Sequence, residues 1–534
     1  MKEGGIFYSF KMAQGYGTTN GPKVSVLLPT YNRRRYLPVS LSSVVHQDYR
    51  NLEIFVIRDG GEEVGDIVDS FNDSRIVFID RNENCGLPHT LNEALVRAKG
   101  KYICYLGDDD LYYPHHISTL VDVLESKTDC QAAYSDLYKT YCRILPDGSR
   151  QVLGKFVEIS RDFDRFLMLY FNHVLHVSLM HRRDLIEKTG LYNENLNVLI
   201  DWDMTRRLVF FTDFYHVGKI TGEFYSPVGD NDRISFQRRK DTDNFLRNFL
   251  AIRATRPPKP WPKLKDLSII FTADRLDSEA GRTVGAIRQQ TFYPYKLYLP
   301  VPKDGANEIN TDMPNLVCVP VESSLSREQQ TDAVLRSCEG DFVAIVPAGL
   351  PVEEMWIEEP LYALINSPLR GQGYQLDSST EQLWSAVVRK DELLEARGKF
   401  PQLSVQQSLM SSGVSVRKLR PDEIPFKFDS LLKEGRTAGG NGDWSQAAEI
   451  FEYIADHYQN QLWMRSLAAG ALFKAGEHKR AAEFAKEINT CRPTVDTLLL
   501  EAKMHKKEKN FRSAIALLQN ARGILKGEIL DGSN

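Results

Sequence analysis

The chain has few cysteines and no pattern among them. Cys85, Cys104, Cys130, Cys142, Cys318, Cys338 and Cys491 form no Cys-x-x-Cys pair, and their spacings are irregular. A disulfide framework or a zinc site is thereby disfavoured, and a reducing cytoplasm is the expected location, at most peripheral to the inner face of a membrane. No run of about 18 apolar residues occurs, so no transmembrane segment is expected. Residues 1–21 hold no apolar stretch of signal-peptide length and read as a flexible N-terminus. A dominant charge is absent too. The 67 Lys and Arg face 71 Asp and Glu, and a net charge of −4 gives no whole-molecule attraction to nucleic acid. What is present is a globular composition, 42% hydrophobic and 26% charged, in a chain of 534 residues. That length suggests about three or four domains.

Three blocks follow one another. In the first, residues 22–255, short apolar strands alternate with helical stretches. Strands are expected at Val24–Leu28, Leu52–Ile57, Ile76–Ile79 and Tyr102–Leu106, with helices near 37–46, 63–71 and 88–98. This alternation predicts an α/β fold with a mostly parallel sheet, whose ligands bind beyond the carboxyl ends of the strands. A basic stretch near its end (Arg233, Arg238, Arg239, Lys240, Arg247 and Arg253) reads as a solvated helix face; the sharper reading is an arm folding over a diphosphate or touching an acidic acceptor. Residues 256–265, rich in proline, read as a stiff extended linker.

The second block, 266–427, repeats the opening of the first. Leu267–Thr272 parallels Val24–Thr30, and Gly340–Val346 parallels Gly100–Leu106. The continuation differs: Gly107-Asp108-Asp109-Asp110 in the first copy, Pro347-Ala348-Gly349-Leu350 in the second. Without clustered carboxylates the second copy is expected to be catalytically dead. Its Glu353-Glu354 and Glu358-Glu359 pairs read as a solvated helix face. The third block, 428–534, is helical and periodic. Gly442-Asp443-Trp444, Gly476-Glu477-His478 and Lys509-Asn510-Phe511 recur at spacings of 34 and 33, each followed by an alanine (Ala447, Ala481, Ala514). The pattern resembles three tetratricopeptide repeats, stacked helix pairs that bind proteins or self-associate, a homodimer included.

The chemistry concentrates in Asp108-Asp109-Asp110. Three consecutive carboxylates at the end of a buried strand repel one another, and oxygen-only ligation of Mg²⁺ or Mn²⁺ relieves the repulsion. The competing reading is a polar turn capping the next helix. A second carboxylate site lies at Asp201-Trp202-Asp203, followed by Arg206. His173, His176 and His181 read as core or acceptor-pocket histidines, and His115-His116 as the start of a surface helix.

Val24–Asn32, Asp59, Asn84-x-Gly86, Asn92, Gly100–Ile103, the acidic cluster and Pro114 follow one another with the gaps of a known family. Over residues 23–230 the chain resembles the inverting family 2 glycosyltransferases of the GT-A fold. The resemblance implies that a sugar moves from a nucleotide-diphosphate donor, UDP by default, to a glycan or to a protein such as flagellin. It implies further that Pro29, Thr30 and Tyr31 line the base pocket, that Asp59 and Asp108 bind the nucleoside, that Asp109 and Asp110 serve a divalent cation, and that Asp201 is the general base. Two departures stand out: Gly107 replaces the first aspartate of the family's Asp-x-Asp-Asp, and Ile200 replaces a glutamate. A Gln-x-x-Arg-Trp motif, expected of processive membrane-bound synthases, is missing. Asp203 and Arg206 are expected to order the helix start and form an ion pair.

Overall fold

The computed structural model describes residues 21–157, 160–228, 241–303, 315–376, 383–420, 427–457, 462–491 and 493–526. Residues 1–20 of the expected N-terminus and Arg233, Arg238, Arg239 and Lys240 of the basic stretch lie outside them.

Alternating side chains explain the first sheet. In β1 (Val24–Thr30), Leu27 faces one apolar cluster while Val26 and Leu28 face another, so both sides of the strand are buried. β1, β2 (Leu52–Asp59), β3 (Ile76–Arg81) and β4 (Tyr102–Tyr105) are parallel, in the order β3-β2-β1-β4. Beyond β4 the sheet turns mixed. β5 (Leu111–Tyr112), β6 (Cys130–Ile144), β7 (Arg150–Phe156), β8 (Leu179–Arg182) and β9 (Asp213–Pro227) extend it as β4-β8-β6-β9-β5, with β7 on β6.

The second sheet repeats this opening. β10 (Leu267–Thr272), β11 (Tyr295–Pro302), β12 (Leu316–Val321) and β13 (Phe342–Pro347) are parallel in the order β12-β11-β10-β13. An antiparallel strand again follows, here β15 (Ala386–Arg389), with β14 (Gln372–Gln375) and β16 (Ser415–Arg417) outside it. Even the register repeats: Val24 pairs with Leu52 and Tyr102, and Leu267 with Tyr295 and Phe342.

One apolar core runs between the sheets. It passes from Leu27, Phe55 and Ile103 through Trp202, Met204 and Phe210 to Ile269, Phe271 and Leu297. Polar contacts lock the same junction. The buried Arg206 guanidinium donates to the carbonyls of Thr255 (2.8 Å), Arg253 (3.0 Å) and Phe292 (3.1 Å). Burial pushes it down to about 9, which leaves it cationic at neutral pH. The expected ion pair therefore has a different cation: Asp203 pairs with Arg207, at 2.7 Å, because one helical turn brings i and i+4 together.

Three further expectations are corrected here. Glu358 is fully buried rather than solvated, because its helix (Glu358–Asn366) starts against the other unit and its Oε1 accepts from the amides of Phe292 (2.8 Å) and Tyr293 (3.1 Å). Arg253 is buried rather than part of a solvated face, its guanidinium 4.1 Å from the Phe249 ring. Trp261 of the proline-rich segment packs edge-on against Phe210 at 4.9 Å. His116 begins its helix (His116–Ser126) fully buried, stacked 3.7 Å from the Tyr112 ring.

The C-terminal region comprises six described helices, Lys427–Gly440, Trp444–His457, Leu462–Ala475, His478–Cys491, Val495–Lys507 and Phe511–Lys526. The sequence period surfaces in the backbone. Gly442 (φ 85°), Gly476 (φ 91°) and Lys509 (φ 59°) each take the left-handed conformation two residues before the second helix of a pair. The last pair docks on the first sheet, where Val495, Leu498, Ala521 and Ile524 join Leu111, Tyr113 and Tyr138. Tyr138 Oη donates to the Pro493 carbonyl at 2.7 Å.

Candidate active site

Pairing register brings the carboxyl ends of β1, β2 and β4 to one edge, with Thr30 beside Arg58 and Leu27 beside Tyr105. The turn after β2 needs glycine. Gly60 has φ 71°, and a Cβ there would lie 2.9 Å from the Asn84 backbone nitrogen. This close approach sets the Asn84–Gly86 loop over the end of β2. Asp59 then accepts from the amides of Cys85 and Gly86, both at 2.9 Å, and from Arg81 at 3.3 Å. Its carboxylate pins the start of the helix Leu87–Arg97, and its lone pairs are not exhausted by these bonds.

The acidic turn follows β4. Asp108 accepts from the Tyr31 amide at 3.3 Å, which joins it to the Pro29-Thr30-Tyr31 segment leaving β1. Burial, reinforced by the Asp109 charge, pushes the Asp108 carboxyl up to about 7, against the pull of Arg33. Asp109 forms an ion pair with Arg33. Arg150 donates to the Asp109 carbonyl at 2.8 Å and reaches its carboxylate at 3.9 Å, its guanidinium held between the rings of Tyr36 (3.7 Å) and Tyr225 (4.4 Å). Asp110 Oδ1 accepts from the Tyr225 amide at 3.0 Å, and the Asp110 carbonyl accepts from Ser40 at 2.6 Å.

Gly107 leaves room between the carboxylates. A Cβ there would lie 3.0 Å from Asp110 Oδ2 and 3.1 Å from Asp109 Oδ1, so two carboxylate oxygens converge on one small space. Two carboxylates plus donor phosphates are a usual Mg²⁺ arrangement, and the residues present fit it. Among the described residues no group of three or more His, Cys, Asp or Glu is placed to hold a metal on its own.

Asp201 lies apart, in the first turn of the helix Ile200–Leu208, which the left-handed Leu199 (φ 58°) introduces. Asn172 Nδ2 donates to its Oδ2 at 3.0 Å. Stacked and hydrogen-bonded rings extend from β4. Tyr105 in β4 stacks on His176 at 4.0 Å, and His176 Nε2 lies 2.7 Å from the Tyr192 hydroxyl. Burial pushes His176 down to about 3 and His181 to about 4, so both rings are neutral; His173 is likewise buried and held well below its ordinary value.

Residues 25–183 match the model for glycosyl transferase family 2. The chain is similar to that family over this segment. The uncharacterized glycosyltransferase RT0329 of Rickettsia typhi is 27% identical over 206 residues, 37% of this chain and 62% of that protein. Protein CgeD of Bacillus subtilis is 32% identical over 178 residues, 31% of this chain and 39% of that protein. The chain thus spans less than two thirds of either relative. S. aureus TarS 1–349, solved with UDP-GlcNAc, is similar at 18% identity and a TM-score of 0.35, over 44% of this chain and 67% of that one. Likeness at that level carries neither donor nor acceptor across.

The first sheet thus brings Tyr31, Asp108, Asp109 and Asp110 together at one edge, with Asp59 at the neighbouring strand end and Asp201 apart at a helix start. Sequence reasoning missed Arg33, Arg150 and Asn172. Arg33 was discoverable, since Arg33-Arg34-Arg35 follows the β1 end after two residues. Arg150 and Asn172 carry no local signal, because their partners lie 41 and 29 residues away.

Proposed function

We propose that the chain is an inverting glycosyltransferase using a nucleoside-diphosphate sugar. The carrying observation is the pairing, around the segment similar to family 2, of an acidic turn at the sheet edge with a separate carboxylate, Asp201, at a helix start. Asp201 takes the proton from the acceptor hydroxyl, whose oxygen bonds to the donor's anomeric carbon. The bond from that carbon to the diphosphate oxygen breaks, and its electron pair leaves with the nucleoside diphosphate. Asn172 holds the Asp201 carboxylate in position. Asp109 and Asp110 would hold a divalent cation, Mn²⁺ or Mg²⁺, which stabilises charge on the departing diphosphate when bound. Asp108 takes the ribose, and Asp59 with Pro29, Thr30 and Tyr31 takes the base.

On this reading residues 22–255 are catalytic, 256–265 join them to a degenerate copy at 266–427, and 428–534 are tetratricopeptide-like repeats for a protein partner or a second copy. The repeated strand order supports the duplication. No described helix is long and apolar enough to cross a membrane, and the described cysteines are free thiols, which supports action in the cytoplasm or at the inner membrane face.

The test is incubation with UDP-sugars and GDP-mannose plus Mn²⁺, following nucleoside diphosphate release, with Asp109→Ala and Asp201→Asn as controls. Release that depends on both residues is expected. No release with any donor would leave a nucleotide-sugar-binding scaffold, and pyrophosphate release from a nucleoside triphosphate would indicate a nucleotidyltransferase.

A further inference from the structure

A cavity of about 580 Å³ opens where the two α/β units meet. Its aromatic wall is Tyr170, Phe171 and Phe249 of the first unit; Gln289, Gln290 and Glu354 of the second supply amides and a carboxylate. Arg253 completes it. A pyranose ring has an apolar C–H face that stacks on aromatic rings and a rim of hydroxyls that need paired donors and acceptors. This lining offers both. It also carries one cationic and one anionic side chain, a balance that suits a neutral ligand.

Arg253 shows that the wall is built rather than incidental. Its residue is 9% exposed, its Nη1 donates to the Gln289 carbonyl at 2.7 Å, and its buried Nε has no hydrogen-bond partner. A buried donor without a partner is costly, and a ligand hydroxyl beside it would remove that cost.

Two of the lining residues connect to the Asp201 segment. Phe171 directly precedes Asn172, which donates to the Asp201 carboxylate at 3.0 Å. Phe249 packs at 5.2 Å on Trp202, the residue after Asp201. Two of the three aromatic walls are thus linked to Asp201 through a single intervening residue, Asn172 or Trp202.

We infer that this cleft binds the acceptor as a neutral saccharide, and that the second unit serves to form its far wall. The acceptor role rests on the glycosyltransferase reading above; saccharide binding itself does not. The unit without an acidic turn thereby acquires a role in recognising substrate.

Saturation-transfer NMR on the full chain tests this with the methyl glycosides of glucose, mannose, galactose and N-acetylglucosamine. At least one glycoside should give signals, and Phe249→Ala and Gln290→Ala should each weaken binding about tenfold, the loss of one stacking or hydrogen-bonding contact. Gln290 is only partly buried, so its variant keeps the fold, which a thermal melt verifies. The inference is overturned if no glycoside gives signals, or if signals persist unchanged in both variants. Calorimetry with UDP-glucose, UDP-GlcNAc and GDP-mannose reads the donor site separately. Absence of donor binding would sink the transferase reading, while the glycoside signals would still decide whether the cleft binds saccharide.

Discussion

β4 and β13 hold equivalent places in their sheets, and each is preceded by a glycine against which a neighbouring strand presses. A Cβ on Gly100 would lie 2.6 Å from the Ser25 backbone nitrogen, and one on Gly340 2.7 Å from that of Ser268. The Gly100 amide donates to the Ser25 hydroxyl and the Gly340 amide to the Ser268 hydroxyl, each at 2.9 Å. After these strands the units part. The first turns through three aspartates; the second turns through Ala348 and Gly349, where the Gly349 amide donates to Thr283 at 3.0 Å. The frame is set by backbone approach and strand register, and the chemistry by a handful of residues past the strand ends. One can be kept while the other is lost.

Four substitutions press on that comparison. Asp201→Asn keeps the shape of the helix start and removes the base, so turnover should fall about 10²–10⁴-fold with donor affinity retained, as steady-state kinetics and calorimetry would show. Asp109→Gly writes the second unit's residue into the first turn. It should cost about 10²-fold in turnover and weaken the response to added Mn²⁺, and full activity would dissociate the acidic turn from the reaction. Gly100→Ala and Gly340→Ala should each lower stability by about 1–3 kcal/mol in denaturant titration, since both add a methyl against backbone. A cost at Gly100 alone would break the equivalence of the two frames.

The smallest effect concerns pH. Burial pushes Glu358 up to about 7 from an ordinary 4.5. Between those values the unfolded chain releases this proton while the folded chain keeps it, so Glu358 makes stability fall as pH rises across that window and level off above it. Glu358→Gln should flatten the melting temperature between pH 5 and 7, as differential scanning calorimetry across buffers would report.

Much of this was legible in the chain itself. Val24–Leu28 is apolar on both faces, and β1 is buried on both. The spacings of 34 and 33 mark the turns where Gly442, Gly476 and Lys509 adopt positive φ. The acidic turn and the Asp59 strand end were readable because their residues are contiguous or end an apolar run. The failures share a cause: a pattern along one helix cannot reveal what packs on it from elsewhere. Glu358 looks like a surface charge until Phe292 and Tyr293 offer their amides, and His116 looks exposed until Thr221 arrives, 105 residues on, at 2.7 Å from its ring nitrogen. Asn172 meets Asp201 from an irregular segment that no periodicity describes.

The hydrogen bonds of Arg206 at the junction go to carbonyls, two of them from its own unit and the third from Phe292 in the other. Carbonyls are indifferent to the identity of the side chain. The second unit can therefore accumulate changes at Gln289, Gln290 or Glu354 without loosening this anchor. Descent with modification is free to revise what the cleft recognises while the joint beneath it stays the same.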